Sequence, residues 1–519
     1  MTILMDFLSQ LDWQTLLRDI FIYSPKEPLI FTRLYFWGFL LVVLLFYGSV
    51  HNRPALRNAY LFFASFFFYY KTAGLFCLVL LVMTYVSYLI ALLIDELRRK
   101  PKWVNTLLLS LGVSLNLFVL AYFKYAYFFT ENYNALMHTN YDVFNYFAYW
   151  TNSFFGTHLD VDKIILPIGL SFYTFQKIGY LVDVKRGDVK PIVSFLDFSF
   201  FVFFFPQLVA GPILRAAQFL PQLYRPLPHT NRDFGTATFW ILKGLIKKMF
   251  IADYIAINYL DRVFANPWAY TGFENLVACY GYSLQVYCDF SGYTDIAIGV
   301  SLLMGFELPA NFNEPHKAQS PAEFWRRWHI SLSNWLRDYL YIPLGGNKHG
   351  EFRTNLNLMA TMLLGGFWHG ASWNFIIWGG LNGLGLLFYR YWRRISPIKD
   401  NHTLPVVIFS VALTFSFISF TRIFFRSPSF EHALGMIEKI ASGINFGLVP
   451  SIVSGYALPF SVMLFGFFVQ WMPTEWKESA KEFFILMPAP VKVAVCSLVV
   501  FIVYQAVSAD FQPFIYFQF

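Results

Sequence analysis

The run Leu75–Ile94 carries no charge along its whole length, and it constrains the fold more than any motif. At 1.5 Å per residue, a helix of that length crosses a hydrocarbon core about 30 Å thick. Tyr35–Val50, Val104–Phe129, Leu276–Met304, Trp373–Trp392 and Val406–Phe420 meet or approach the same length. Shorter or interrupted runs occur at Tyr60–Tyr70, Ile164–Val182, Phe195–Ile213, Phe239–Leu260, Leu356–Trp368, Tyr456–Trp471 and Val491–Val507. Lipid satisfies no backbone polar group, so spanning elements are helices or closed barrels. These runs are continuous and lack period-two alternation, which selects helices. The expected fold is all-α, a polytopic transmembrane bundle of about 11–13 helices, some broken or re-entrant.

Composition excludes the soluble alternative. Hydrophobic residues make up 57% of the 519 and charged residues 13%, about half the charged share of a soluble domain. That leaves too little polar material to coat even one core. Basic clusters at His51–Arg57, Leu97–Trp103, Lys185–Lys190 and Arg390–Lys399 orient the chain with those loops in the cytoplasm. The net charge of +8 suits loops against anionic lipid rather than a nucleic-acid partner. Met1–Ile22 is amphipathic, lacks a cleavage site and reads as an interfacial helix outside the cytoplasm. Cys77, Cys279, Cys288 and Cys496 each sit in an apolar run with no metal-ligand spacing. The expected division is an N-terminal segment 1–30, transmembrane helices 31–165, a catalytic core 166–392 and C-terminal helices 393–519.

Ionisable and helix-breaking residues concentrate between Leu166 and Gly380. Asp289 and Asp295 lie in one apolar run, where a carboxylate is costly and marks a function or a partner. Six residues apart, they face different sides and do not form a catalytic pair. Either they bond a neighbouring helix or they meet substrate. Ser320-Pro321-Ala322-Glu323 is a helix start. Over Phe324–Tyr341, Trp325, Trp328, Leu332, Trp335, Leu336 and Tyr339 form one face, with Arg326, Arg327, Asn334, Arg337 and Asp338 opposite. One continuous interfacial helix is expected, with His329 at the edge of its apolar face. Leu356–Leu364 then leads to Gly365-Gly366-Phe367-Trp368-His369-Gly370. The glycines admit close approach of a chain or ligand, and His369 is a proton acceptor near neutral pH. General base, metal ligand and packed core residue are all open on chemistry alone. No local spacing supports a metal.

The ordered set Arg326-Arg327-Trp328-His329-Ile330-Ser331-Leu332-Ser333, Trp335-Leu336-Arg337-Asp338-Tyr339 and Trp368-His369-Gly370 resembles the membrane-bound O-acyltransferase (MBOAT) family. Leu166-Pro167-Ile168-Gly169, Tyr180-Leu181-Val182-Asp183 and Phe205-Pro206-Gln207 through Gly211-Pro212-Ile213 are similar to its bacterial branch that O-acetylates alginate and other exopolysaccharides. The resemblance covers Leu166–Gly380. One departure is Glu314-Pro315-His316-Lys317-Ala318, where the branch leads one to expect an aromatic after the proline.

The resemblance implies helices ringed around a central channel in the bacterial inner membrane, with His369 and His329 catalytic. It implies no permanently bound cofactor, acetyl-CoA or another acyl thioester as cytosolic donor, and a polysaccharide acceptor reached through a periplasmic acetyltransferase partner. Asn311, Asn313, Ser333 and Asn334 are candidates to hold an oxyanion. Asp289, Asp295, Arg326, Arg327 and Trp368 complete the channel or substrate-binding candidates. Two rivals stand beside this reading: D-alanyl transfer to teichoic acid by a related enzyme, and an ion or solute transporter using Asp289, Asp295 and His369 without acyl transfer.

Overall fold

The computed structural model describes residues 18–25, 27–227, 230–397 and 403–506. The described residues are helical, with no strand among them. Most of the expected leader helix Met1–Ile22, and the end of the basic loop Arg390–Lys399, lie outside the described residues. The chain divides into two compact units.

The first unit comprises Met1–Phe123, Phe144–Val209 and Arg215–Pro228. Its helices are α1 (Leu34–Val50), α2 (Pro54–Ala73), α3 (Phe76–Glu96), the start of α4 (Lys102–Met137), α5 (Leu170–Arg186), α6 (Phe195–Phe203) and α7 (Ala216–Tyr224). Aromatic rings fill its core, with Phe36, Phe68 and Phe205 in mutual contact. Arg57 is fully buried because the C-terminal carbonyls of α7 need donors. Its guanidinium donates to the carbonyls of Leu223 at 2.7 Å, Gln222 at 3.1 Å and Arg225 at 3.1 Å. The run expected over Phe195–Ile213 is broken. α6 stops at Phe203, and only Phe205–Leu208 is helical beyond it, around Pro206, which has no N–H to extend a helix.

The second unit comprises Lys124–Val143, Ala210–Leu214 and His229–Phe519. After the end of α4 come α8 (Asn231–Leu245), α9 (Gly272–Leu303), α10 (Pro321–Arg327), α11 (Ile330–Leu336), α12 (Gly350–His369), α13 (Trp373–Ile395) and α14 (Leu404–Arg426). α15 (Phe430–Ala441), α16 (Ala457–Trp471), α17 (Thr474–Leu486) and α18 (Ala489–Ala506) complete it. Thr271 and Glu274 cap α9 reciprocally, which fixes where this long buried helix begins.

Among the described residues, Phe76–Arg99, Lys102–Met137, Leu404–Arg426 and Ala489–Ala506 are long and apolar enough to cross a membrane. Val449–Gly455 with α16 forms a fifth candidate, bent by 86°. Their outer faces are apolar: Phe118 is 70% exposed, Leu413 58% and Phe501 60%. Exposed surface of that kind requires lipid as its solvent.

The continuous helix expected over Phe324–Tyr341 is instead two helices. It starts as expected, with the Ser320 hydroxyl accepting from the Glu323 N–H at 3.2 Å. α10 then ends at Arg327, and His329 adopts a left-handed conformation (φ 43°, ψ 56°). Asn311 supplies the reason. Its carbonyl accepts from the Ile330 N–H at 2.9 Å, and its amide oxygen accepts from the Ser331 N–H at 3.1 Å. These bonds satisfy the N-terminus of a new helix and compete with continuation of the old one.

Candidate active site

His369 is the last residue of α12. A helix leaves its final carbonyls without partners and its C-terminus electronegative. α4 supplies what is missing. Its backbone widens into a π-type turn over Ala121–Tyr125. The Lys124 ammonium donates to the Trp368 carbonyl at 2.7 Å and the His369 carbonyl at 2.8 Å. The Tyr125 hydroxyl donates to the Phe367 carbonyl at 2.9 Å. The backbone of the histidine is therefore fixed by charge-assisted bonds from another helix.

Its ring is fixed by aromatics. Trp368, Trp378 and Phe425 surround the imidazole at centroid distances of 4.9, 5.1 and 5.4 Å. Trp378 reaches it because α12 and α13 nearly touch. A Cβ on Gly366 would lie 2.4 Å from the Phe375 carbonyl oxygen, and one on Gly379 would lie 2.4 Å from that of Met362. The glycines before His369 thus serve the close crossing of two helices, and Gly365 and Gly366 also border a cavity.

That cavity has a volume of about 180 Å³ and is lined by Trp325, Leu332, Ser333 and Arg337 beside Gly365 and His369. Its lining is predominantly apolar. A second pocket of about 20 Å³ lies among Val286, Trp328, Asn382, Arg422 and Phe425. His369 and Trp378 border both. His369 is thus shared between a larger chamber and a very small one.

His329 is completely buried and lies outside the linings of both cavities. Its Nδ1 is 3.2 Å from the Asn311 amide oxygen, and its ring meets Phe290 at 4.7 Å and Trp368 at 6.4 Å. It touches the tryptophan next to His369 and forms the joint between α10 and α11. Ser331, also bonded to Asn311, accepts from the Ile213 N–H at 3.0 Å. The end of the upstream Gly211-Pro212-Ile213 motif is thereby tied to this joint.

The other expected residues are distributed. Ser333 faces the larger cavity, and its hydroxyl donates to the Trp328 carbonyl at 3.2 Å. Arg327 pairs with Glu323 at 2.7 Å, Arg326 and Asn313 are exposed, and Asn334 is half-buried. Asp289 and Asp295 both meet lysines of one neighbouring segment, the last turn of α8 and the helical stretch that follows it. Lys248 bridges Asp289 and Asp253, while Lys247 reaches Asp295 at 2.8 Å and Lys243 reaches it at 3.4 Å. Close packing at Gly244 and Gly292 brings those lysines into reach. Sequence reasoning missed Lys124, Lys248 and Arg422. Each was signalled by a cation within or beside an apolar run.

The model of MBOAT, the membrane-bound O-acyltransferase family, matches residues 62–426. The chain belongs to this family and is a membrane acyltransferase. It is 41% identical to a probable alginate O-acetylase of Pseudomonas putida over 68% of this chain and 70% of that one. It is 36% identical to a peptidoglycan O-acetyltransferase of Helicobacter pylori over 80% of each chain. It is 33% identical to a teichoic acid D-alanyltransferase of Streptococcus thermophilus over 44% of this chain and 57% of that one. Membership of the family displaces the reading as a transporter without acyl transfer.

Proposed function

We propose that this protein lies in the bacterial inner membrane and moves an acetyl group from a cytosolic thioester, acetyl-CoA, to a hydroxyl of an extracytoplasmic polysaccharide such as alginate. The observation that carries the reading is the position of His369, which borders two cavities at once. A group-transfer base needs that arrangement, with acceptor and acyl group meeting at one nitrogen. The relatives named for O-acetylation support acetate as the cargo.

In this mechanism the acceptor oxygen attacks the thioester carbonyl carbon while His369 takes its proton. The tetrahedral intermediate collapses, the carbon–sulfur bond breaks, and the proton passes from the imidazole to the departing thiolate. Products are the O-acetyl ester and the free thiol. His329 holds Asn311 and Trp368, and acts by positioning. The acceptor oxygen at His369 is a hydroxyl of a periplasmic acetyltransferase, and that acetyl ester in turn passes the group to a hydroxyl of the polymer.

The test is the O-acetyl content of surface polysaccharide in cells lacking the chain and complemented with wild type, His369→Ala or His369→Gln, with membrane levels of each matched. Loss of acetylation by about 100-fold or more in both variants is expected of a general base. Unchanged acetylation in the strain lacking the chain overturns the reading.

A further inference from the structure

The residue that departs from the expected motif, His316, stands against Arg422, which lines the small pocket. It is 2% exposed, and its ring packs against Tyr287 and Phe415 at 5.4 and 4.9 Å. Its Nε2 is 3.3 Å from Arg422 Nη1, and Gln470 Nε2 lies 2.6 Å from its Nδ1. A guanidinium only donates. Nε2 must therefore accept and Nδ1 carries the proton; turning the Gln470 amide end for end brings its oxygen, which has no other bond among the described residues, into place to take that proton. His316 is thus held as one tautomer that orients Arg422.

Arg422 is 5% exposed. Its guanidinium stacks over Trp328 at 4.4 Å and Phe324 at 5.5 Å, and donates to the Ser283 carbonyl at 3.4 Å. Ring faces, a carbonyl and His316 fix it in one place. The same side chain borders the 20 Å³ pocket with His369 and Asn382. A volume near that of one water has room for a single acyl carbonyl oxygen.

We propose that Arg422, oriented by His316 and Gln470, reads the acyl group: it donates to the acyl carbonyl oxygen beside His369 and excludes acyl groups that carry an ammonium. The proposal rests on acyl transfer at His369 and adds its specificity. Charge on the carbonyl oxygen grows as the tetrahedral intermediate forms, so a fixed cation there favours the transition state over the ground state. The same fixed cation meets an aminoacyl group as a like charge in a buried site, which builds rejection into the pocket.

The test uses inverted membrane vesicles containing full-length protein, with the periplasmic fraction of the same cells and de-O-acetylated polysaccharide enclosed as acceptor. The donors are CoA thioesters of acetyl, isobutyryl and D-alanyl groups, and the readout is thiol release above the His369→Ala level. Isobutyryl and D-alanyl differ chiefly in that a methyl is replaced by an ammonium. Wild type is expected to use acetyl and isobutyryl, both faster than D-alanyl. In Arg422→Gln, kcat for acetyl falls about 100-fold with a smaller change in KM, and the gap between isobutyryl and D-alanyl closes. Arg422→Lys keeps the rejection of D-alanyl. His316→Phe lowers kcat, and His316→Gln, which retains an acceptor for Arg422, restores it.

Wild type that uses D-alanyl as fast as isobutyryl overturns the proposal without any variant, and leaves transfer at His369 standing. A folded Arg422→Gln with unchanged kcat and selectivity does the same. Wild type that matches His369→Ala on all three donors overturns transfer at His369, and the role of Arg422 with it.

Discussion

The Lys124 ammonium on α4 holds the main-chain carbonyl of His369 at 2.8 Å, and that of Trp368 at 2.7 Å. A side chain at the frayed end of a helix would otherwise carry the mobility of that end. Here the last turn is clamped by a cation that also complements the helix dipole.

Lys124→Met removes both bonds and leaves the two carbonyls without their charged donor. Hydrogen bonds to charged groups contribute about 1.5–3 kcal/mol, so thermal stability should fall by an amount of that order. Acyl transfer should fall with it, because the imidazole is no longer held. Wild-type activity in a Lys124→Met protein of unchanged melting temperature would show that the clamp is dispensable.

His329 can be separated into backbone and side chain. Its φ of 43° is a conformation that asparagine tolerates better than alanine. His329→Asn should keep the joint, the fold and transfer activity within about 10-fold of wild type, well above a His369 variant, where loss of the base costs about 100-fold or more. His329→Ala should be less stable. Should His329→Asn fold normally and be as inactive as His369→Ala, His329 takes part in the chemistry.

Gly366→Val places a branched side chain where the Phe375 carbonyl already stands 2.4 Å from a Cβ. α12 and α13 must separate, at a cost of about 1–3 kcal/mol, and Trp378 leaves the His369 ring. Gly380→Ala is the control, since its Cβ would meet Leu363 at an ordinary 3.5 Å. Equal melting temperatures for the two variants would argue against the tight crossing.

Glu314 gives a pH dependence outside the spanning helices. Burial pushes its carboxyl up, but bonds from the ammonium groups of Lys477 and Lys317 outweigh burial and hold it below the ordinary glutamate range. A depressed carboxylate stabilises the fold above its unfolded value, about 4.3, and that contribution is lost as pH falls through the folded value. Melting temperature should therefore drop on acidification below about pH 4.3. Glu314→Gln should flatten that part of the profile, and an identical acid limb in both proteins would remove Glu314 as its source.

The helices were legible where one rule acts alone. Leu75–Ile94 and Val406–Phe420 are helical because lipid leaves an apolar segment no other way to satisfy its backbone. The Ser320 cap was legible for a similar reason, since donor and acceptor sit three residues apart. The break at His329 was not legible, because Asn311, eighteen residues earlier, competes for the N–H groups of the next turn. Amphipathic period alone carries no record of that competitor.

The sequence by itself determined that this chain is a helical membrane protein, and it singled out His369 by its glycines, its neighbours and its family motif. Only the tertiary structure decided what holds and surrounds that histidine. Lys124 and Trp378 reach it from two other helices, Arg422 borders the small pocket beside it from a third, and these placements depend on crossings between segments up to hundreds of residues apart. Local sequence fixes backbone satisfaction, whereas side-chain convergence is set by packing across distant segments.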